Sequence, residues 1–132
     1  MRQLVFDSWA LLEWLLGAPG APKVRALLED ANTGNCQIAM SWINAGEVAY
    51  MLLRKRNQQA SEDFLANLRA LPIRLALPSA DSILAAARIK AVSRLSYADA
   101  FAVELAISRG AEIVTGDPEI AALDAIHVVW VG

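Results

Sequence analysis

Short apolar runs recur along the chain, and longer stretches with helical periodicity separate them. Leu4-Val5-Phe6 opens the sequence, and comparable runs lie near its middle and its end. Such runs, bounded by Gly, Pro or polar residues, are typical of buried strands. The pattern predicts five strands, at residues 4–6, 37–40, 73–75, 113–115 and 127–131.

The stretches between the strands carry helix signals. Ser41 and Ser96 stand where N-caps are expected, and Gly110 is placed to end the helix that follows Ser96. We predict helices at residues 9–16, 23–30, 42–56, 61–70, 80–92, 97–109 and 118–123. Strands that alternate with helices favour a parallel sheet covered on both faces. The predicted class is therefore α/β, a three-layer α/β/α sandwich with a central parallel sheet.

The composition indicates a single globular domain over residues 1–132. Hydrophobic residues make up 56% of the chain and charged residues 20%, which is enough apolar surface for a core. The single cysteine, Cys36, has no partner for an internal disulfide, which fits a reducing compartment. Asp7 and Glu13 interrupt the apolar N-terminal stretch, so we expect a cytoplasmic protein without a membrane span.

Four acidic residues fall where parallel sheets bind ligands. Asp7 ends the first predicted strand and Asp117 follows the fourth, while Glu47 and Asp99 lie near the starts of two helices. In open α/β sheets, ligands bind outside the carboxyl ends of the strands. Helix capping is an alternative explanation for Asp7 and for Asp117, because Asp117-Pro118 is a favourable cap followed by a first-turn proline.

Ser96-Tyr97-Ala98-Asp99 also approximates a capping box, so capping is an alternative for Asp99 as well, whereas it does not account for Glu47. The helical neighbours of Glu47 include Ile43 and Met51, and those of Asp99 include Leu95 and Val103. A carboxylate on an apolar helix face costs several kcal/mol unless it is paired or binds a metal. No basic residue stands at pairing distance from Glu47 along its helix, so we expect both acids to belong to a site.

Four clustered acids require cations. Each pair of carboxylates at about 4 Å repels by roughly 4 kcal/mol at an effective dielectric constant near 20. Oxygen ligands without His or Cys select hard ions, so Mg²⁺ is the expected cofactor and Mn²⁺ its substitute. Such ions suit phosphodiester cleavage, where one activates water and another stabilises the departing oxygen. The net charge of −2 neither supports nor excludes a nucleic-acid partner, because two bound divalent ions would reverse its sign.

Each of the four acids lies in a distinctive block of sequence. The blocks are Asp7-Ser8-Trp9-Ala10-Leu11-Leu12, Asn44-Ala45-Gly46-Glu47-Val48, Leu95-Ser96-Tyr97-Ala98-Asp99-Ala100-Phe101-Ala102 and Val114-Thr115-Gly116-Asp117-Pro118-Glu119. Together they resemble the PIN-domain nucleases, and within them the VapC toxins of toxin–antitoxin systems. The resemblance covers essentially the whole chain, and the block around Asp99 is its most specific part.

This resemblance implies a Mg²⁺- or Mn²⁺-dependent endoribonuclease. It maps the metal-binding and catalytic acids onto Asp7, Glu47, Asp99 and Asp117, and an accessory hydroxyl, suited to orienting water or phosphate, onto Thr115. Members of the family usually form homodimers. A small VapB-type antitoxin neutralises them, and its C-terminal segment crosses the site and often places a basic side chain among the acids.

Other readings of the same residues stay open. A non-catalytic binding module would use the acids only to receive a basic peptide from a partner. An aspartyl-phosphate phosphatase is disfavoured, because its second aspartate would fall at Trp9. The basic run at residues 54–56 (Arg54, Lys55 and Arg56) either contacts RNA or is a solvated helix end. Trp9 and Trp42 follow strands and are candidates either for base stacking or for the core.

Overall fold

The computed structural model describes residues 1–132, and its strands and helices alternate for most of the chain. The five strands are β1 (Arg2–Phe6), β2 (Cys36–Ser41), β3 (Arg74–Ala76), β4 (Glu112–Thr115) and β5 (Val128–Trp130). The seven helices are α1 (Ser8–Leu15), α2 (Ala21–Asn32), α3 (Trp42–Lys55), α4 (Gln58–Asn67), α5 (Ala80–Ala91), α6 (Tyr97–Arg109) and α7 (Pro118–Ala121). A single 3₁₀ turn at Leu68–Ala70 follows α4.

All five strands are parallel, in the order β3-β2-β1-β4-β5. The chain builds outward from β1 through β2 to β3 and then crosses back to add β4 and β5 on the other side. The order of the strands therefore reverses at β1, which pairs with both β2 and β4. Phe6 lies beside Val114 in that second pairing, so the carboxyl ends of β1 and β4 open at the same place.

Helices cover both faces of the sheet, and the alternation of side chains along each strand decides which helices they meet. Leu4 and Phe6 of β1 pack with α1 to α4, in a cluster that also includes Val24, Val48 and Phe64. Val5 points the other way, into a second cluster formed mainly by α6. Because both faces are buried, the strands are mostly apolar, as parallel strands commonly are, and their charged residues stand at the first position of a strand. The predicted three-layer α/β/α architecture is confirmed.

Most predicted boundaries agree with the structure to within one or two residues, and the largest difference is at α4. The helix begins at Gln58 rather than at residue 61, because the side chain of Asn57 accepts a hydrogen bond from the backbone N–H of Ala60 at 2.8 Å. That N-cap sets the first turn three residues earlier than the apolar periodicity indicated. At α6, Gly110 adopts a φ of 60° and ends the helix as predicted.

None of the helices is both long enough and apolar enough to cross a bilayer.

Candidate active site

All four predicted acids line one cavity at the point where the strand order reverses. The cavity holds about 290 Å³ and opens between α1, α3, the start of α6 and the turn after β4. Its acidic lining consists of Asp7, Glu13, Glu47, Asp99 and Asp117. A crevice beside the carboxyl ends of β1 and β4 is the usual ligand position in an open parallel sheet. The topology therefore brings together residues that lie up to 110 positions apart.

Asp7 is the most deeply placed of the four predicted acids, with only 1% of its surface exposed. One carboxylate oxygen accepts the backbone N–H of Ala10 at 2.9 Å, which caps α1. The other oxygen accepts the hydroxyl of Thr115 on β4. Capping was the alternative to a site role for this residue, and the structure shows that one carboxylate caps the helix and also lines the cavity.

Thr115 connects the two strand ends rather than facing the cavity. Its side chain is fully buried, its hydroxyl donates to Asp7, and its oxygen accepts the backbone N–H of Asp117 at 3.0 Å. Both hydrogen-bonding functions are therefore engaged within the protein. The expectation that this hydroxyl orients water or a phosphate does not fit its position, and its contribution is to fix the two aspartates relative to each other.

Asp117 also caps a helix and lines the cavity. Its carboxylate accepts the N–H of Glu119 at 2.9 Å at the start of the short helix α7, with Pro118 in the first helical position. This cap holds the carboxylate at the cavity wall with little freedom to turn away. The second capping interpretation is thus also correct and does not compete with the site.

Glu47 is less buried than its apolar neighbours suggested, because Ile43 and Tyr50 are each about 40% exposed. The sequence interpretation placed this carboxylate on a core-facing stripe without a partner, and that part was wrong. Glu47 accepts hydrogen bonds from the hydroxyl of Ser8 and, at 3.2 Å, from that of Tyr50. The charge of Glu47 raises the pKa of Tyr50, so the phenol stays neutral and continues to donate.

Asp99 lies in the first turn of α6, and two polar contacts hold that turn. The side chain of Ser96 accepts the N–H of Asp99 at 3.1 Å and caps the helix. Asn44 of α3 is fully buried and donates its amide to the carbonyl of Ala98 at 2.9 Å. Asn44, the first residue of the sequence block that contains Glu47, thus joins the helix of Glu47 to the turn of Asp99.

Burial and crowding of negative charge change the acidity of two of these residues. Burial raises the pKa of Asp7 to about 7, and the negative charges of Asp99 and Asp117 add to this rise. The hydrogen bonds from Thr115 and Ala10 lower the pKa but do not offset the effect of burial. Burial also raises the pKa of Asp99 to about 7, with the carboxyl of Asp117 within hydrogen-bonding reach as the next cause. Both shifts indicate that the pocket lacks compensating positive charge, which is the situation that a bound cation relieves.

The donor chemistry of the pocket fits a hard divalent cation. Its candidate ligands are carboxylate oxygens, and the chain's single His and single Cys do not line it. No three of the acidic side chains converge closely enough to enclose one ion by themselves. Mg²⁺ usually retains several waters and takes only one or two carboxylates from the protein. The neighbouring carboxyls of Asp99 and Asp117 are the pair best placed for that arrangement.

The basic run at residues 54–56 divides into three different environments. Arg54 lies over the ring of Tyr50, and Arg56 donates to the carbonyl of Leu16. Lys55 lines the acidic cavity, yet it lies within salt-bridge distance of no carboxylate, since the one salt bridge in the structure joins Arg2 to Glu112. A cation at the mouth of an acidic pocket without an ion-pair partner is available to a ligand.

The two candidate tryptophans, Trp9 and Trp42, lie in different environments. Trp9 lines the cavity and is 40% exposed, whereas Trp42 packs against the main core and is covered by the guanidinium of Arg69, 5.2 Å from its ring centroid.

Reasoning from the sequence missed Ser8 and Tyr50 as partners of Glu47. Tyr50 stands three residues after Glu47, a spacing that brings side chains together on a helix, and this was the available signal.

Comparison with known proteins agrees with this architecture. A family model described as PIN domain matches residues 4–126. A search of the curated proteins finds no match.

Several solved structures share the fold along almost their whole length. The Mycobacterium tuberculosis toxin VapC20, described as cleaving the sarcin–ricin loop, superposes with a TM-score of 0.77 at 15% identity, over 95% of this chain and 98% of that one. VapBC2 from Rickettsia felis, bound to a promoter DNA fragment, gives 0.75 at 15% identity, over 97% and 98%. A toxin–antitoxin complex from Klebsiella pneumoniae gives 0.67 at 20% identity, over 96% and 95%. At these identities the likeness establishes a common fold.

Proposed function

The chain belongs to the PIN domain family, and from this premise we propose that it is a VapC-type toxin that cuts RNA as a Mg²⁺- or Mn²⁺-dependent endoribonuclease. The observation that carries the proposal is the convergence of Asp7, Glu47, Asp99 and Asp117 on one cavity from four separate elements. The fold shared with VapC20, a toxin described as cleaving RNA in the sarcin–ricin loop, supports the assignment of the substrate.

In this proposal Asp99 and Asp117 are the nearest ligands of the cation, Asp7 and Glu47 complete its acidic surroundings, and neighbouring residues hold these carboxylates in place. A bound Mg²⁺ or Mn²⁺ would supply positive charge for the activation of water and for the developing charge on the phosphate. Thr115 and the backbone of Ala10 fix Asp7, and Ser8 and Tyr50 fix Glu47. These two carboxylates are therefore oriented before a ligand arrives, which reduces the reorganisation that binding requires.

The raised pKa values of Asp7 and Asp99 are consistent with the same proposal. With a pKa of about 7, Asp7 and Asp99 are partly protonated near neutrality when no cation is bound. Cation binding displaces those protons, so affinity and activity both increase with pH through this range. The carboxylates then carry the full negative charge that balances the ion.

A VapB-type antitoxin is the partner that this surface favours. A second, largely apolar groove of about 480 Å³ lies next to the acidic cavity, between the ends of α1 and α3 and the helix α4. Leu16 lines both, so the groove and the acidic cavity are adjacent. An amphipathic segment lying in this groove would reach the acids past Leu16 with an arginine or lysine side chain and neutralise them. Complexes of related toxins with antitoxins support this partner, and we extend the proposal to a homodimer of the toxin.

The second candidate is a non-catalytic module whose acidic cavity only receives a basic peptide. The observation that favours it is that no three acids enclose an ion as the side chains stand. Isothermal titration with Mn²⁺ separates the two. The nuclease proposal expects binding in the wild type that is lost in Glu47→Gln, whereas the module expects no Mn²⁺ binding in either protein.

The function is tested by brief induction of the chain in a bacterial host, followed by mapping of new RNA ends. Wild type is expected to arrest growth and to produce discrete cuts, while Asp7→Asn, which keeps the side-chain shape, produces neither. A matched control is Asp124→Asn, because Asp124 is exposed and lies outside the cavity. Equal cutting by wild type and Asp7→Asn would contradict the proposal.

A further inference from the structure

We propose that the indole of Trp9 is the surface on which a nucleobase of the RNA stacks next to the cleaved phosphate, and that Gly116 is the residue that makes room for it. The inference rests on the proposed ribonuclease function and adds to it a residue that contacts the base rather than the phosphate. Its support is the position of Trp9, its exposure and its packing against the turn after β4.

Trp9 is an exception within its own turn. Asp7, Ser8, Ala10 and Leu11 around it are each at most 7% exposed, while the indole is 40% exposed. The side chain lines the same cavity as Asp7 and Asp117, so its exposed part faces the place where the phosphate would lie. A large aromatic group kept open to solvent beside a polar site commonly serves recognition.

Gly116 shows that the indole is held in place from one side. A β-carbon on residue 116 would overlap the indole of Trp9. Three ring atoms would lie within 2.7 Å of it, and Cδ1 is the farthest of the three. The φ of Gly116 is not positive, so its backbone conformation does not call for glycine. The missing side chain is therefore explained by the space that the indole occupies, and the ring is ordered in advance against the backbone.

The chemistry of the cavity favours a base as the group that the indole meets. The lining next to the acids includes the apolar side chains of Leu12 and Met51, which suit a flat, weakly polar ring. Lys55, which has no ion-pair partner, lines the same cavity and is available to a neighbouring phosphate. Aromatic side chains bind bases of any sequence in this way, together with cations that follow the backbone.

The competing explanation is that Trp9 only supports the turn that carries Asp117. The two explanations differ in the kinetic constant that they affect. A stacking surface contributes to substrate binding, so its removal raises KM and leaves kcat nearly unchanged. A support for Asp117 contributes to the metal site, so its removal lowers kcat and weakens the binding of Mn²⁺.

The test uses Trp9→Leu, which removes the aromatic face, and Trp9→Phe, which keeps a smaller one. With an RNA that the wild type cuts, we expect Trp9→Leu to raise KM about 5- to 100-fold, the range corresponding to one stacked base. The increase for Trp9→Phe is expected to be clearly smaller, and Mn²⁺ affinity is expected to stay within about twofold of wild type in both. An unchanged KM, or a lower kcat accompanied by weaker Mn²⁺ binding, would overturn the proposal.

A substrate with one abasic nucleotide next to the cut gives an independent readout. If the indole stacks on that base, wild type loses affinity for the abasic RNA, while Trp9→Leu loses nothing further, because the interaction is already absent. Equal losses in both proteins would show that Trp9 does not meet this base and would overturn the proposal.

Tryptophan fluorescence separates failure of this inference from failure of the ribonuclease proposal. With Ca²⁺ in place of Mg²⁺, we expect oligoadenylate to quench wild type and Trp42→Phe equally, and Trp9→Phe much less. Trp42 is the matched control, because it lies under Arg69 and does not line the cavity.

This binding signal does not depend on cleavage. If quenching depends on Trp9 but no RNA is cut, only the ribonuclease proposal fails. If RNA is cut but quenching is the same in all three proteins, only the stacking proposal fails.

Discussion

Replacing Asp7 by asparagine is expected to stabilise the metal-free protein at alkaline pH while removing its activity. Burial raises the pKa of Asp7 from 3.8 to about 7, so the folded protein binds this proton more tightly than the unfolded chain does. The stability from this group is fully present below about pH 4 and is lost as the pH rises to about 7. The charged form then costs about 4 kcal/mol relative to the protonated one.

The asparagine side chain keeps most of the local contacts without the charge. Its amide oxygen still accepts the N–H of Ala10, and its amide nitrogen faces the oxygen of Thr115, which has a lone pair available. In EDTA, the free energy of unfolding of Asp7→Asn relative to wild type should increase by about 2–3 kcal/mol between pH 5 and pH 8. Urea denaturation at the two pH values measures this difference.

The exposed residue Asp124 provides the control, since Asp124→Asn should differ from wild type by the same small amount at both pH values. The reasoning would be refuted if Asp7→Asn were less stable than wild type by an equal amount at pH 5 and pH 8. That result would mean that the buried carboxylate carries no electrostatic cost in the folded protein.

Three further predictions concern the binding of Mn²⁺ and RNA at the site. Because Asp7 and Asp99 hold protons to about pH 7, Mn²⁺ affinity measured by calorimetry should rise about tenfold per pH unit for each proton displaced, and thus up to about a hundredfold per unit, between pH 5 and 6.5; a constant affinity would contradict the assignment of these acids. Thr115→Val removes a hydrogen bond that lowers the pKa of Asp7, so Mn²⁺ binding at pH 7 should weaken, and Thr115→Ser should restore it; equal weakening in both would point to packing instead. Lys55→Gln should raise KM for RNA, and the slope of log affinity against log salt concentration should become shallower by about one. Lys90→Gln on α5 should change neither quantity.

The fold could be predicted because short segments of the sequence contain the signals that define its strands and helices. Apolar runs in β1 and β2, caps at Ser41 and Ser96, and the glycine stop at residue 110 are all local, and each agrees with the global arrangement. The boundary of α4 was missed because Asn57 and Gln58 carry no apolar signal and the cap acts through one polar side chain. Trp130 stands in the apolar run at residues 127–131 and is nevertheless 42% exposed, because β5 is an edge strand.

The four acids that line the cavity could be predicted from the sequence, but their hydrogen-bond partners could not. Position after strand ends indicated Asp7 and Asp117, apolar helix neighbours indicated Glu47 and Asp99, and the family pattern included all four. The bonds that orient them join residues far apart in the chain, such as Thr115 to Asp7 and Ser8 to Glu47, and only the strand order brings these residues together. The relative burial of the acids also depends on tertiary packing, which is why Glu47 was judged too buried.

The central claim is that the acidic cavity cuts RNA with a divalent cation, and cleavage by purified protein tests it most directly. We predict that wild type and Asp124→Asn cut a structured RNA at the same discrete positions in Mn²⁺ or Mg²⁺ and not in EDTA. We predict that Asp99→Asn, folded to the same extent by circular dichroism, leaves the RNA intact. Cleavage that persists in EDTA, or at the wild-type rate in Asp99→Asn, would contradict the account.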